Sequence, residues 1–471
     1  MTRYKPVTQT LPEYDFLVYK DGDYYKIQDG NSLSKVYKDK DPSVAVQKAI
    51  DLAPTGGRIF IKNGEYPLST EISINKSLSL VCQGNAKFTN PNNLQRMIHV
   101  TADNVVIDGL VADGNKAIDT YEGIIRADMV KNLIVKNCIL TNPFHGSCVR
   151  LQHCERSRII NNYFHYSFHG CVYLYSAFRC IVANNNAEND GTNGALVTAY
   201  ASGEGHIIEG NVCRGGEFGV YLEYGLRSCV VSNNSFLSLH DMGAYPYYAQ
   251  AIKIEGDGKN TIIGNTIRDV YGDGLVCRSP LNIFAHNTLE LVKRRAIDVG
   301  SHYQIIESNT IKDCGYEANN TYPAIILSSW EEVYTKYCKI RNNIIMSEQS
   351  NLPSYGIQEE SGCDYNEICY NRIENVVNKG VIWSGSNTKV AFNIGFVTEN
   401  SGEVTIPAGS SYVDVTHGLD ITPDINKIRI TPKDNLNGRD YWISDVNSST
   451  FRINISSSDS VDHTFGWSYY N

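Results

Sequence analysis

The chain is 471 residues long, 42% hydrophobic and 20% charged, with a formal net charge of −9, enough for a large core or several domains and too apolar for a disordered chain. The acidic balance and the lack of any Lys/Arg-rich run argue against a nucleic-acid groove. No apolar run approaches the ~20 residues of a membrane span, and the start, MTRYKPVTQTLPEYDF, has no basic-then-apolar signal peptide.

Residues 1–40 form the lead-in, where DFLVYKDGDYYKIQDG predicts two strands about a KDGD turn. DPSVAVQKAIDLAP then predicts a helix. Asp41 can N-cap it, Pro42 suits its first position, and Val46, Ile50 and Ala53 share one face. Such a helix covers the open edge of a first rung. GGRIFIKNGEY and EISINKSLSLVCQG follow as strands.

A repeat runs through the middle of the chain. LIVKNCI, RIINNYF, IVANNNA, HIIEGNVC, VVSNNSF and TIIGNTI share asparagines at Asn137, Asn162, Asn185, Asn211, Asn234 and Asn265, and the series continues to Asn393. Its shortest interval is 22 residues, as between Asn287 and Asn309. Each unit holds short β-branched runs split by Gly, Asn and Asp, without helical periodicity, which predicts one rung of a right-handed parallel β-helix over 41–399. The asparagine suits a left-handed turn and can bond its neighbours along the stack, a scaffold role. Of the 13 cysteines, Cys180, Cys229 and Cys338 fall five residues before the asparagine. With no CxxC pair and no zinc-like cluster, they are expected as buried thiols, with neither a metal nor a cofactor.

After residue 400 the asparagine period stops. GEVTIPAGSSYVDVTHGL, KIRITPKDN, DYWISDVNSSTFRINI and HTFGWSYY alternate in the manner of antiparallel strands. Residues 400–471 are therefore expected as a C-terminal antiparallel β-sandwich that caps the last rung, mediates oligomer contacts or binds glycan.

The order helix, GGRIFIKNGEYPLSTEISI, then asparagine-punctuated rungs resembles the pectate-lyase-like superfamily of right-handed β-helices, from about Asp41 to Asn400. Virus tailspike depolymerases, polysaccharide lyases and hydrolases share this beginning. The lead-in resembles those of β-helix proteins from archaea and their viruses, and the C-terminal segment resembles tailspike appendages. The polygalacturonase aspartate-pair-plus-GHG pattern, the DPHD of alginate epimerases and the acidic calcium cluster of pectate lyases are all missing. The resemblance implies a polysaccharide partner, a homotrimer, and an extracellular or virion-surface location. It is strong for fold and weak for reaction.

The candidate site comes from strand alternation. In CVRLQ, CVYLY, ALVTA, GVYLE, AIKIE, GLVCR and AIDVG, the second and fourth letters face the core and the third and fifth face out. The third-letter column holds Arg150, Tyr173, Val197, Tyr221, Lys253, Val276 and Asp298. The fifth holds Gln152, Tyr175, Ala199, Glu223, Glu255 and Arg278. Glu223 and Glu255 are thus expected one rung apart, facing solvent. Like charges so placed raise at least one pKa, and an acid beside a carboxylate is what glycoside cleavage needs. Asp298 is the substitute partner for Glu255, two rungs on. Tyr173, Tyr175 and Tyr221 suit sugar faces, with Lys253, Arg278, Arg150, His169 and Tyr248 as further substrate contacts. His145 and His169, each in an FHG, fit either a turn ladder or a general base. Two other readings stay open. One is a lyase with Tyr221 or a histidine as base and Arg278 neutralising a uronate; the other is a non-catalytic glycan adhesin. The outward apolar letters Val276, Ile326 and Ile382 favour a trimer that covers them.

Overall fold

The computed structural model describes residues 14–119, 121–189, 194–240 and 249–470, and two compact units divide the chain, Met1–Ser279 and Pro280–Asn471. Among the described residues the fold is all-β except for one α-helix, Pro42–Leu52. Asp41 caps it by accepting the Ser43 amide at 2.8 Å, Pro42 holds its first turn, and Ala45, Val46, Ala49 and Ile50 are buried. Ala53, expected within the helix, is its C-cap and is also buried.

In the first unit the lead-in is a three-stranded antiparallel meander, Phe16–Asp21, Tyr24–Asp29 and Lys35–Asp39. Its first strand also pairs in parallel with Gly57–Ile61, so the meander joins the solenoid directly. From there each rung adds one short strand to each parallel sheet. The face that carries the candidate site is built from Ser147–Gln152, Gly170–Tyr175, Ala195–Tyr200, Phe218–Leu222, Gln250–Ile254 and Asp273–Cys277, each paired in parallel with the next.

The asparagine stack is present, with two corrections. Asn211 donates its backbone N–H (3.0 Å) and its Nδ2 (2.9 Å) to Oδ1 of Asn234, and Asn234 does the same to Asn265 at 3.0 Å each. The bonds run from rung to rung. The left-handed residue is the one before the ladder: Asn161, Asn184 and Asn233 have φ near 55°. Asn137 is itself at that position (φ 55°), and Cys138 occupies the ladder place, donating its N–H to Asn162 at 2.9 Å. An inward amide that must meet the next rung cannot also make the turn. All 13 cysteines are buried free thiols, and burial pushes Cys180 up to about 12.

The second unit repeats this architecture, with its own ladder from Asn287 through Asn309, Asn343 and Asn371 to Asn393. After it the strands turn antiparallel. Asn400–Ile406 pairs with His463–Tyr469, and Tyr412–Thr416 with Thr450–Ile455. The two three-stranded sheets share a core that includes Phe451, Ile453, Phe465 and Trp467.

Candidate active site

The register of the first unit sets which side chains meet. Arg150 pairs with Tyr173, Tyr173 with Thr198, Thr198 with Tyr221, Tyr221 with Lys253, and Lys253 with Val276. The Ala195 rung is therefore one residue out of the expected register. Val197 pairs with the core residue Val172, and Thr198 and Tyr200 take the outward places expected for Val197 and Ala199. The apolar run Ala195–Leu196–Val197 gave no alternation to count from; only Thr198 and Tyr200 after it mark the outer face. Beside this column lies a second one: Gln152, Tyr175, Tyr200, Glu223, Glu255 and Arg278. The Glu223 amide continues the ladder onto Ala199, the Glu255 amide onto Leu222 and the Arg278 amide onto Ile254.

The stretch of these columns from Arg150 to Lys253 and from Tyr175 to Glu223 is the floor of a cleft, not a solvent-washed stripe. Arg150, Tyr173, Thr198 and Val276 are buried, and Glu223 and Glu255 are half-buried. The cleft has a volume of about 420 Å³, and Glu223, Tyr221, Lys253, Tyr173, Tyr200 and Arg150 are among its lining residues. Tyr175 and Tyr200 stack at 5.8 Å between ring centres, and Phe218 stacks on Tyr221 at 5.4 Å. His169 lies flat on Tyr173, with ring centres 5.2 Å apart and planes 3° apart. Both FHG motifs have a backbone reason. A Cβ on Gly146 would meet Ile118 Cγ2 at 2.4 Å, and Gly170 has φ +144° with Thr198 Oγ1 3.0 Å from where a Cβ would stand.

The two glutamates differ in their partners. Glu255 forms an ion pair with Lys253 Nζ at 2.9 Å and accepts the Tyr221 hydroxyl at 2.5 Å. Lys253 also donates to the Tyr221 oxygen at 3.1 Å. Burial, and then the bond to Glu255, drive the Tyr221 phenol well above its ordinary range. The Glu223 carboxyl makes no hydrogen bond or ion pair among the described residues. Burial first, and the Glu255 charge second, push it up to about 7, with Lys253 opposing. Glu255 is not among the cleft-lining residues; it reaches the cleft through Tyr221 and Lys253.

The remaining predicted residues fall in several places. Arg278 follows Glu255 in its column and donates to the Cys277 carbonyl at 3.2 Å. His145 is exposed, its ring against Phe168. Asp298 belongs to the second unit. It is buried, accepts the Ser328 hydroxyl at 2.8 Å and lies 3.4 Å from Arg295 Nη1. Tyr248 lies outside the described residues. Val276 and Ile326, expected to need a partner subunit, are each only 3% exposed within the chain itself. Among the described residues no group of three or more His, Cys, Asp or Glu is placed to hold a metal ion, and no helix is long and apolar enough to cross a membrane.

An additional charged cluster occupies the preceding rungs of the same face. His99 meets Asp128 at 2.7 Å and Glu71 at 3.5 Å, and Arg126 clasps both Asp128 and Glu122. The bonds to Asp128 and Glu71 push His99 up to about 9. Burial opposes the charge on Asp128, yet His99 and Arg126 hold it down to about 2. Alternation in IHV and IIRAD carried the signal for this cluster, since His99 and Arg126 lead into Arg150 in register.

The sequence matches the family model described as right handed beta helix region over residues 147–248, 198–321 and 247–394. No curated protein sequence matches it. Among solved structures, the tailspike protein of E. coli bacteriophage HK620 in complex with pentasaccharide is similar, with 11% identity, 92% of this chain and 90% of that one covered, and a TM-score of 0.58. The A-module of Azotobacter vinelandii mannuronan C-5 epimerase AlgE4 is similar at 18% identity over 74% of this chain and 96% of its own, with a TM-score of 0.54. At these identities the likeness is one of fold.

Proposed function

We propose that this chain, which belongs to the right-handed β-helix family, is a polysaccharide-degrading enzyme of glycoside hydrolase type. The observation that carries the reading is Glu223: a carboxyl in an aromatic cleft, pushed up to about 7, beside an ion-paired carboxylate on the next rung. At neutral pH a large share of such a group keeps its proton, as a general acid must. Glu223 donates that proton to the departing glycosidic oxygen. Glu255, held by Lys253 and Tyr221, is the carboxylate whose charge stabilises the sugar cation through them. Adjacent rungs lie ~4.8 Å apart, close to the ~5–5.5 Å of retaining enzymes. Tyr175 and Tyr200, half-buried in the cleft lining, offer aromatic surface to the sugars.

A lyase with Tyr221 as base fits less well. Its proton is committed to Glu255, and both burial and that bond oppose its loss. The pentasaccharide in complex with the HK620 tailspike protein supports a glycan ligand and, with it, an extracellular or virion-surface location. A homotrimer rests on that tailspike likeness, since Val276 and Ile326 are already covered; a monomeric mass by light scattering would remove it.

Product analysis on a panel of surface polysaccharides tests the reaction. A hydrolase releases new reducing ends without ultraviolet absorbance, and Glu223→Gln abolishes the release. Unsaturated ends would make the enzyme a lyase. Retention of glycan without any cleavage would make it an adhesin.

A further inference from the structure

Arg150 is the one arginine of the cleft floor whose charge the described residues leave unanswered by a hydrogen bond. It is 3% exposed, and its Nε and Nη1 are buried with no hydrogen-bond partner. Burial accordingly lowers its pKa. An unpaired charge in such a place is costly, and buried polar groups in native proteins are nearly always satisfied. The carboxylates in its field, Glu122 and Asp128, are held by Arg126 (2.7 and 2.9 Å), and Asp128 by His99 as well. Glu122 Oε2 lies 3.8 Å from Arg96 and, though buried, makes no hydrogen bond, to Arg150 or to any other group. What Arg150 does touch is aromatic: its guanidinium sits 4.5 Å from the Tyr173 ring centre and 5.6 Å from that of Tyr175. These contacts orient the planar group and supply no acceptor.

We propose that Arg150 is a specificity-determining residue, the anchor of a distal subsite that takes an anionic substituent of the glycan, most directly a sugar carboxylate. The inference rests on the glycan-acting reading given above. Its geometry separates the anchor from the cutting point. The column runs Arg150, Tyr173, Thr198, Tyr221, so Arg150 stands three rungs from the Glu223 rung, roughly 14 Å at one strand spacing per rung. That is more than one sugar residue. The charged sugar is therefore not the one whose bond is broken. It binds along the Tyr173–Tyr175 wall and sets the register of the chain over Glu223. A guanidinium donates charge-assisted hydrogen bonds to a carboxylate, and it binds sulfate or phosphate by the same chemistry.

The test uses the full chain and immobilised glycans in matched pairs. Oligogalacturonate, oligomannuronate, hyaluronan and polysialic acid are each presented beside their carboxyl-reduced forms, with sulfated and neutral glycans as separate arms. Loss of a charge-assisted contact at a buried site predicts at least ~10-fold weaker binding after carboxyl reduction. That difference should vanish in Arg150→Met and partly return in Arg150→Lys, with both variants checked by thermal melting. If Arg150→Met does not fold, the matched pairs are compared in the wild type and Arg150→Lys, where the difference should shrink. Preference for sulfated glycans, lost in Arg150→Met, would keep the anion subsite and change the anion. Equal binding of the charged and carboxyl-reduced forms by the wild type, with no anionic glycan losing affinity in Arg150→Met, would overturn the subsite while leaving the glycan reading intact. Binding of no glycan in any arm would overturn both.

Discussion

Two glutamates, one in each unit, are turned into the protein and treated in opposite ways. Glu359, in the second unit, is 3% exposed and saturated. One oxygen accepts Asn366 Nδ2 and Thr388 Oγ1 at 2.6 Å each, and the other accepts the Ser384 and Gly385 amides at 3.0 and 2.8 Å. Glu223, in the first unit, lines a cleft; its carboxyl has no hydrogen bond or ion pair among the described residues and is pushed up to about 7. A buried carboxylate whose acceptor sites are all filled is a tie between turns. A half-buried one with its sites open, beside a like charge, is poised to hold and release a proton. Burial alone does not separate structural from functional acids; the number of donors aimed at them does.

The sharpest way to break this comparison is to remove the same charge from both. Glu223→Gln should lower depolymerase turnover by ~10²-fold or more and leave the fold intact, as measured by reducing-end release and circular dichroism. It should also not destabilise above pH 7. The folded protein holds the Glu223 proton at about 7, against an ordinary 4.5. Wild-type stability therefore falls as pH rises through that window, and the glutamine variant escapes the loss. Glu359→Gln should do the reverse, sparing the cleft chemistry but costing about 3 kcal/mol in denaturant unfolding, because an amide nitrogen would face donors. Equal effects of the two substitutions on stability would defeat the distinction.

The asparagine ladder belongs with Glu359. Asn234→Ala would orphan the backbone N–H and Nδ2 of Asn211 and the carbonyl of Ile208, a loss of about 3 kcal/mol in equilibrium unfolding. A smaller effect should come from His99. Its folded pKa, about 9, lies above the ordinary 6.5, so its contribution is complete below 6.5 and is lost as pH rises through 9. In His99→Gln the melting temperature should lose that dependence between pH 6.5 and 9.

Much of this is legible in the sequence. The 22-residue interval and the alternation of GVYLE and AIKIE put Glu223 beside Glu255, because a strand's period of two leaves few choices once a rung is located. Legibility failed where the pattern had no contrast. Ala195, Leu196 and Val197 are all apolar, so the rung slipped by one and Tyr200 was missed. Asn137 looked like its successors, although the next residue, Cys138, takes the ladder place. Outward Val276 and Ile326 suggested a subunit interface that the chain's own cover makes unnecessary. Partner counts such as those on Glu359 and Arg150 depend largely on neighbouring rungs: Ser384, Gly385 and Thr388 lie 25, 26 and 29 residues from Glu359, and no local window contains them.

The central claim is that Glu223 is the cleft's proton donor, and its own titration tests it most directly. Carboxyl-carbon NMR of the wild-type protein, labelled at glutamate and assigned by the loss of one signal in Glu223→Gln, should give a midpoint near 7. In Glu255→Gln the midpoint should fall but stay above 4.5, since burial is the larger cause and remains. A wild-type midpoint near 4.5, unmoved by Glu255→Gln, would contradict the account and leave Glu223 an ordinary solvated acid.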